Sequence, residues 1–136
     1  IIHRDPLFIV DGAHNPAAAD MLEDSVRKYF KGRKMYFIMG VFRDKDYSYI
    51  IRKLCPYAEQ IVTIETPDNP RALPAQELAE AVRECNPHVQ AAENIQDAVN
   101  KVFAMADRED VILSFGSLSF IGEITTIVKN REEKNL

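Results

Sequence analysis

The sequence contains few glycines and no tryptophan, and several common nucleotide and catalytic motifs are absent from it. With only five glycines in 136 residues, neither Gly-x-x-x-x-Gly-Lys-Ser/Thr nor Gly-x-Gly-x-x-Gly occurs. This excludes a P-loop and the usual dinucleotide fingerprint. A Gly-x-Ser-x-Gly nucleophile elbow is also missing. We therefore expect a chain that binds ligands while the main chemical machinery lies elsewhere.

Cysteine, long apolar runs and positive charge are also scarce. Cys55 and Cys85 form no Cys-x-x-Cys pair, which predicts reduced thiols in a cytoplasmic protein. Metal-ligand spacing is absent, so we predict no metal site in this chain. No apolar run approaches the ~20 residues of a membrane span. The net charge of −4 gives no sign of a nucleic-acid partner. We expect a monomer that binds neither nucleic acid nor membrane.

The size and composition are those of one globular domain. Hydrophobic residues make up 46% of the 136 residues and charged residues 28%, which suits a single domain with its own core. Because the sequence opens at Ile1 without a methionine, we expect residues 1–136 to be one domain of a longer polypeptide.

Short apolar runs alternate with segments of helical periodicity. Strands are predicted at Leu7–Val10, Met35–Met39, 60–64, 88–91 and Val111–Phe115, with both faces of the first, second and fifth buried. Helical spacing runs through 19–30, 75–85, 95–103 and 121–128, with a shorter helix over Tyr47–Leu54. The alternation predicts an α/β, Rossmann-like three-layer domain: a mainly parallel sheet with helices on both faces, and 88–91 at an edge.

Asp-Gly-Ala-His-Asn-Pro at 11–16 directly follows the first predicted strand. Asn15 before a proline is typical of a helix N-cap, which alone would explain it. Asp11 is a candidate for a ribose hydroxyl, or it braces the turn. His14 is a candidate for a phosphate or carboxylate. Ligands in such sheets bind at the carboxyl ends of strands, so this segment predicts an anion site.

Three other segments follow predicted strands in the same way. Lys45, in the segment 40–47, could approach a phosphate or could simply be solvated. Arg71 lies in a proline-stiffened loop at 66–74, where its planar fork suits a carboxylate and Asn69 can donate beside it. An exposed, merely solubilising arginine is the alternative. Ser117 is either a helix cap or part of a second anion site.

Together these segments resemble the C-terminal domain of the folylpolyglutamate synthase/dihydrofolate synthase family, within the Mur ligase superfamily. The resemblance rests on four motifs in order: Asp-Gly-Ala-His-Asn-Pro at 11–16, Gly-Val-Phe-Arg-Asp-Lys-Asp-Tyr at 40–47, Asp-Asn-Pro-Arg-Ala-Leu-Pro at 68–74 and Gly-Ser-Leu-Ser-Phe-Ile-Gly-Glu at 116–123.

The resemblance implies a ligase that uses Mg-ATP to phosphorylate a folate or dihydropteroate carboxylate, which the amine of L-glutamate then attacks. It implies that an N-terminal ATPase domain holds most of the ATP and Mg²⁺ contacts, and that this domain closes over it. His14 is then a catalytic residue at the junction of phosphate and glutamate. The implied ATP contacts are Asp11, His14 and Lys45, and the implied glutamate contacts are Asn15, Asn69, Arg71 and Ser117.

Two alternatives remain open. Asp-Asn-Pro-Arg also occurs in muramyl ligases that add diaminopimelate, although their first motif usually reads Asp-Tyr-Ala-His-Thr-Pro. A free-standing, non-catalytic α/β module that binds an anionic metabolite is the other. The sequence does not decide between a dihydropteroate and a folylpolyglutamate acceptor.

Overall fold

The computed structural model describes residues 1–134. Its strands are β1 (His3–Arg4), β2 (Leu7–Val10), β3 (Met35–Met39), β4 (Gln60–Thr63), β5 (Val89–Ala91) and β6 (Val111–Phe115). Its α-helices are α1 (Pro16–Tyr29), α2 (Tyr47–Leu54), α3 (Ala75–Arg83), α4 (Ile95–Met105) and α5 (Ile121–Lys134). Two short 3-10 helices cover Cys55–Tyr57 and Leu118–Phe120.

The strands form one sheet in the order β1-β2-β6-β3-β4-β5. Every pair is parallel except β1 with β2, so the predicted mainly parallel α/β fold is confirmed. The last strand, β6, lies between β2 and β3, with Leu113 opposite Ile9 on one side and Phe37 on the other. The chain therefore reverses its direction across the sheet after β5, and this reversal creates a topological switch point.

Helices cover both faces of the sheet because alternate residues of each buried strand point to opposite sides. Met35, Phe37 and Met39 pack with α1, α2 and α3 in one apolar cluster. Tyr36 and Ile38 pack with α4 and α5 in the other. The predicted three-layer arrangement is thus confirmed.

Local capping fixes where the helices begin. The side-chain oxygen of Asn15 accepts the backbone N–H of Ala18 at 2.8 Å, with Pro16 at the first helical position. Asp46 caps α2 in the same way, because its Oδ1 accepts the backbone N–H of Tyr49 at 3.2 Å. These caps satisfy backbone donors that a helix start leaves free, and they set α1 directly after the turn that ends β2.

The structure departs from the sequence-based expectations at three of the predicted strands, and it adds β1, which was not predicted. β4 ends one residue early, at Thr63, and β5 begins one residue late, at Val89; β5 lies at the edge, as predicted. β2 is only half-buried apart from Phe8, although both of its faces were expected to be buried. It lies beside a two-residue edge strand, β1, where the sheet ends and fewer side chains cover it.

Candidate functional site

The four motif segments meet at the carboxyl edge of the sheet. Two backbone hydrogen bonds join the starts of the three segments that follow β2, β6 and β3. Asp11 N–H donates to Ser114 O at 2.9 Å, and Gly40 N–H donates to Phe115 O at 3.3 Å. The ends of β2, β6 and β3 therefore lie side by side, as expected from a parallel sheet.

Gly116 permits a close approach between two of these segments. Its φ is +113°, and a Cβ there would overlap the carbonyl oxygen of Gly40. The following residue, Ser117, is buried, and its Oγ accepts the backbone N–H of Ser119 at 3.1 Å. Ser117 thus caps the 3-10 helix that leads into α5, which agrees with one of the two roles considered from sequence.

The loop after β2 is braced internally. Asp11 Oδ1 accepts the N–H of Ala13 at 2.8 Å, and His14 Nδ1 lies 2.7 Å from Gly12 O. Because a carbonyl oxygen can only accept, His14 Nδ1 must carry the proton in this contact. Its Nε2 is then the ring atom that can serve a ligand. Asn15 is exposed and occupied as the N-cap of α1.

The loops that follow β3 and β4 are joined by main-chain hydrogen bonds. Phe42 and Ala72 form an antiparallel bridge. Arg43 N–H donates to Arg71 O at 2.7 Å, and Leu73 N–H donates to Val41 O at 3.1 Å. These contacts bring the predicted phosphate-binding and carboxylate-binding segments into one two-loop unit.

Arg71 makes the strongest polar contacts of this unit. Its guanidinium forms a bidentate pair with Asp44, with the shortest N–O distance 2.7 Å, and stacks over the Phe42 ring at 4.7 Å. The hydrogen bonds from Arg71 hold the pKa of Asp44 below its usual value. Asn69 supports the same residue, since its Oδ1 accepts Arg71 N–H at 2.9 Å.

These segments enclose a cleft of about 390 Å³ at the sheet edge, and seven residues line it: His14, Phe42, Lys45, Arg71, Ser117, Leu118 and Ser119. Four of the seven predicted site residues are therefore brought together, and three of the lining residues are basic or can become so. Asp11, Asn15 and Asn69 lie outside the lining, where they make the backbone contacts described above.

Sequence reasoning did not single out Phe42, Leu118 or Ser119 as site residues. Leu118 is 64% exposed, although it is a large apolar side chain, and it packs over Gly12. The signal available in the sequence was that all three lie inside the recognised motifs.

A larger cleft of about 710 Å³ lies at the opposite, amino edge of the sheet, near the end of α1 and the start of β3. None of the predicted site residues lines it. Within residues 1–134, no group of three or more His, Cys, Asp or Glu side chains is placed to hold a metal ion. Over the same residues, no helix is long and apolar enough to cross a bilayer.

Comparison with known proteins identifies the family. Residues 1–118 match the family described as Mur ligase, glutamate ligase domain. The chain therefore belongs to the Mur ligase family, of which it forms the glutamate ligase domain. Its relatives include the dihydrofolate synthase/folylpolyglutamate synthases of Haemophilus influenzae and Mycobacterium tuberculosis. The first is 30% identical over 129 residues, which are 91% of this chain and 29% of the relative. The second is 34% identical over 104 residues, which are 75% of this chain and 21% of the relative.

Solved structures of the same kind share the fold. FolC of E. coli in complex with ADP superposes with a TM-score of 0.86 at 23% identity, over 98% of this chain and 31% of that one. Folylpolyglutamate synthase of M. tuberculosis, complexed with ADP and AMPPCP, superposes with a TM-score of 0.77 at 28% identity. The match covers 96% of this chain and 30% of that one. The resemblance inferred from the four motifs is confirmed, and the chain spans less than a third of the length of these proteins.

Proposed function

We propose that this chain is the C-terminal domain of a longer, cytoplasmic ATP-dependent ligase that adds L-glutamate to folate or dihydropteroate through an acyl phosphate. In this proposal a separate ATPase domain holds most of the nucleotide and Mg²⁺ contacts. The present domain supplies ATP and glutamate contacts when the two domains close. The names of its relatives and their greater length support this division of labour.

The observation that carries the proposal is the cleft where His14, Lys45, Arg71 and Ser117 converge. The chain as a whole has a net charge of −4, yet this cleft has a guanidinium, an ammonium and an imidazole in its lining. Such a concentration of basic side chains suits a reaction in which a triphosphate and two carboxylates must come together. Ligand binding at the carboxyl edge of a parallel sheet supports the same interpretation.

Each residue has a role that its geometry allows. Arg71 would bind a carboxylate of glutamate through its planar fork, with Asn69 beside it and Ser117 and Asn15 nearby on the same edge. Lys45 would contact a phosphate. Asp11 uses Oδ1 to brace its turn, so Oδ2 would be the oxygen offered to the nucleotide.

His14 would stand between the phosphate and the incoming amine. With Nδ1 donating to Gly12 O, a neutral ring offers Nε2 as an acceptor, whereas a protonated ring offers it as a donor to phosphate. The cleft is open to solvent in this chain alone, and an acyl phosphate must be shielded from water. Closure of a second domain over the cleft would provide that shielding.

The test compares the full-length protein with this chain alone. Each is supplied with Mg-ATP, L-glutamate and either dihydropteroate or a folate, and ADP release is measured. We expect glutamate-dependent ADP release from the full-length protein and none from the isolated chain, because only one wall of the site is present. Activity of the isolated chain above a heat-killed control would refute the division of labour.

The same assay separates the alternatives. Turnover of a muramyl-peptide acceptor with diaminopimelate, in place of folate and glutamate, would assign the chain to a peptidoglycan ligase. A full-length gene without an upstream P-loop, together with no turnover of any acceptor, would support a free-standing anion-binding module.

A further inference from the structure

The side chain of Arg71 is held in one orientation on the surface of the domain. Its Nε donates to one carboxylate oxygen of Asp44 at 3.2 Å, and its Nη2 donates to both oxygens at 3.0 and 2.7 Å. The guanidinium carbon lies over the Phe42 ring, 4.7 Å from its centroid. The backbone of Arg71 is held as well: its carbonyl oxygen accepts Arg43 N–H, and its N–H donates to Asn69 Oδ1.

This arrangement divides the guanidinium into an occupied edge and an available one. Asp44 takes Nε and Nη2, while within residues 1–134 no acceptor pairs with Nη1. Arg71 lines the cleft and Asp44 does not. The carboxylate of Asp44 therefore occupies Nε and Nη2 without lining the cleft, and the Nη1 donors are left for a ligand.

Asp44 has two opposing effects on how well Arg71 can bind an anionic ligand. Its negative charge weakens the attraction of Arg71 for another anion, but both side chains are about half-exposed, at 49% and 56%, where water screens such charges. Against this, an unheld arginine has many rotamers and loses that freedom when it binds a ligand. Lys45, the next residue, restores positive charge to the cleft. The screening also weakens the attraction within the pair, but the orientation of Arg71 depends on short-range bidentate hydrogen bonds, whereas the repulsion acts on a more distant ligand anion. We therefore expect the orienting effect to outweigh the loss of charge.

We propose that Asp44 is a positioning residue for amino-acid recognition: it orients Arg71 so that Nη1 meets a carboxylate of the incoming glutamate. This inference rests on the proposed function, in which Arg71 binds glutamate. Asp44 itself touches no substrate in this proposal and acts only through Arg71.

The experiment is a double-mutant cycle in the full-length protein, with Asp44→Ala, Arg71→Ala and the double variant. The KM for glutamate, the KM for ATP and kcat are measured for each. We expect Asp44→Ala to raise the KM for glutamate roughly two- to tenfold, the range for losing the prior ordering of one flexible side chain. The KM for ATP and kcat should stay within about twofold. In the Arg71→Ala background, removing Asp44 should change nothing further.

Two further variants serve as controls. Asp44→Asn keeps the size of the side chain and one acceptor oxygen, so it should fold normally and give an intermediate effect. Glu77→Gln removes the ion pair that Glu77 of α3 forms at 3.4 Å with Arg43, the neighbour of Asp44, at a similar exposure of 54% and 56%. Glu77→Gln should leave the KM for glutamate unchanged.

The outcomes distinguish this inference from the function on which it rests. If Arg71→Ala raises the KM for glutamate but Asp44→Ala leaves it unchanged or lowers it, the positioning role is overturned and the proposed function stands. An equal effect of Asp44→Ala with and without Arg71 also overturns the positioning role. If Arg71→Ala leaves the KM for glutamate unchanged, the glutamate-binding role of Arg71 is itself refuted.

Discussion

Replacing Gly116 by alanine tests whether the close contact between β6 and β3 supports both the fold and the cleft. Gly116 has a φ of +113°, where residues with a Cβ are strained. An added Cβ would overlap the carbonyl oxygen of Gly40 and lie 3.1 Å from Val41 Cγ1. Because the obstacle is mainly backbone, it cannot rotate aside as a flexible side chain would.

The expected loss of stability is the sum of two contributions. The unfavourable φ costs about 1–3 kcal/mol, and forcing two packed segments apart adds about 1–3 kcal/mol, as overpacking of a tight core does. A total of roughly 2–6 kcal/mol is a large part of the ~5–15 kcal/mol that stabilises a domain. The change should also displace Ser117, the next residue along the cleft.

Two other glycines provide matched controls for a urea-unfolding series. Gly32 has a φ of +83° but nothing within 4 Å of an added Cβ, so Gly32→Ala should cost only about 1–2 kcal/mol of backbone strain. Gly122 lies in α5 in open space, so Gly122→Ala should stabilise by about 0.5–1 kcal/mol. If Gly116→Ala costs no more than Gly32→Ala, the contact with Gly40 contributes nothing and the reasoning is wrong.

Three more predictions concern separate features. In the full-length protein, Arg71→Ala should raise the KM for glutamate about ten- to a hundredfold, because a charged hydrogen-bond pair is lost. Asp11→Ala should instead raise the KM for ATP more than the KM for glutamate. If Arg71→Ala changes the KM for glutamate by less than about twofold while stability is intact, the assignment of Arg71 is contradicted. Asn86→Ala should lower the free energy of unfolding by about 2–4 kcal/mol, because the buried Nδ2 donates to two carbonyls at 2.9 Å each; denaturant titration checks this. Cys85 is exposed, while burial raises the pKa of the Cys55 thiol, so a thiol reagent should titrate one cysteine in the native chain and both after denaturation; two fast thiols in native protein would contradict the burial.

Local sequence patterns were enough to predict the type and order of most helices and strands. Met35–Met39 is a continuous apolar run and Val111–Phe115 is apolar except for Ser114, and the structure buries every residue of both. The caps Asn15 and Asp46 are equally local signals, since each side chain bonds a backbone N–H three residues away. Such features depend on residues close in sequence, and a single sequence therefore reveals them.

The sequence predicted part of the lining of the candidate cleft but not the contacts within it. Four of seven predicted residues line the cleft, because parallel strands place the loops that follow them at one edge. The sequence left open whether Asp11 braces its turn, as it does through Oδ1. It did not reveal that the side-chain oxygen of Asn69 braces its own loop, nor that β1 adds an antiparallel edge of two residues. A strand of that length has no periodicity by which to recognise it.

The ion pair between Arg71 and Asp44 depends on how the segments pack in three dimensions. Asp44 and Arg71 are 27 residues apart, and no local pattern in the sequence pairs them. They pair because β3 and β4 are neighbours in the sheet and the bridge between Phe42 and Ala72 aligns the loops that follow. Hydrophobic periodicity specifies how each segment folds, but a polar pair between loops depends on strand order and register, which emerge only when the segments pack together.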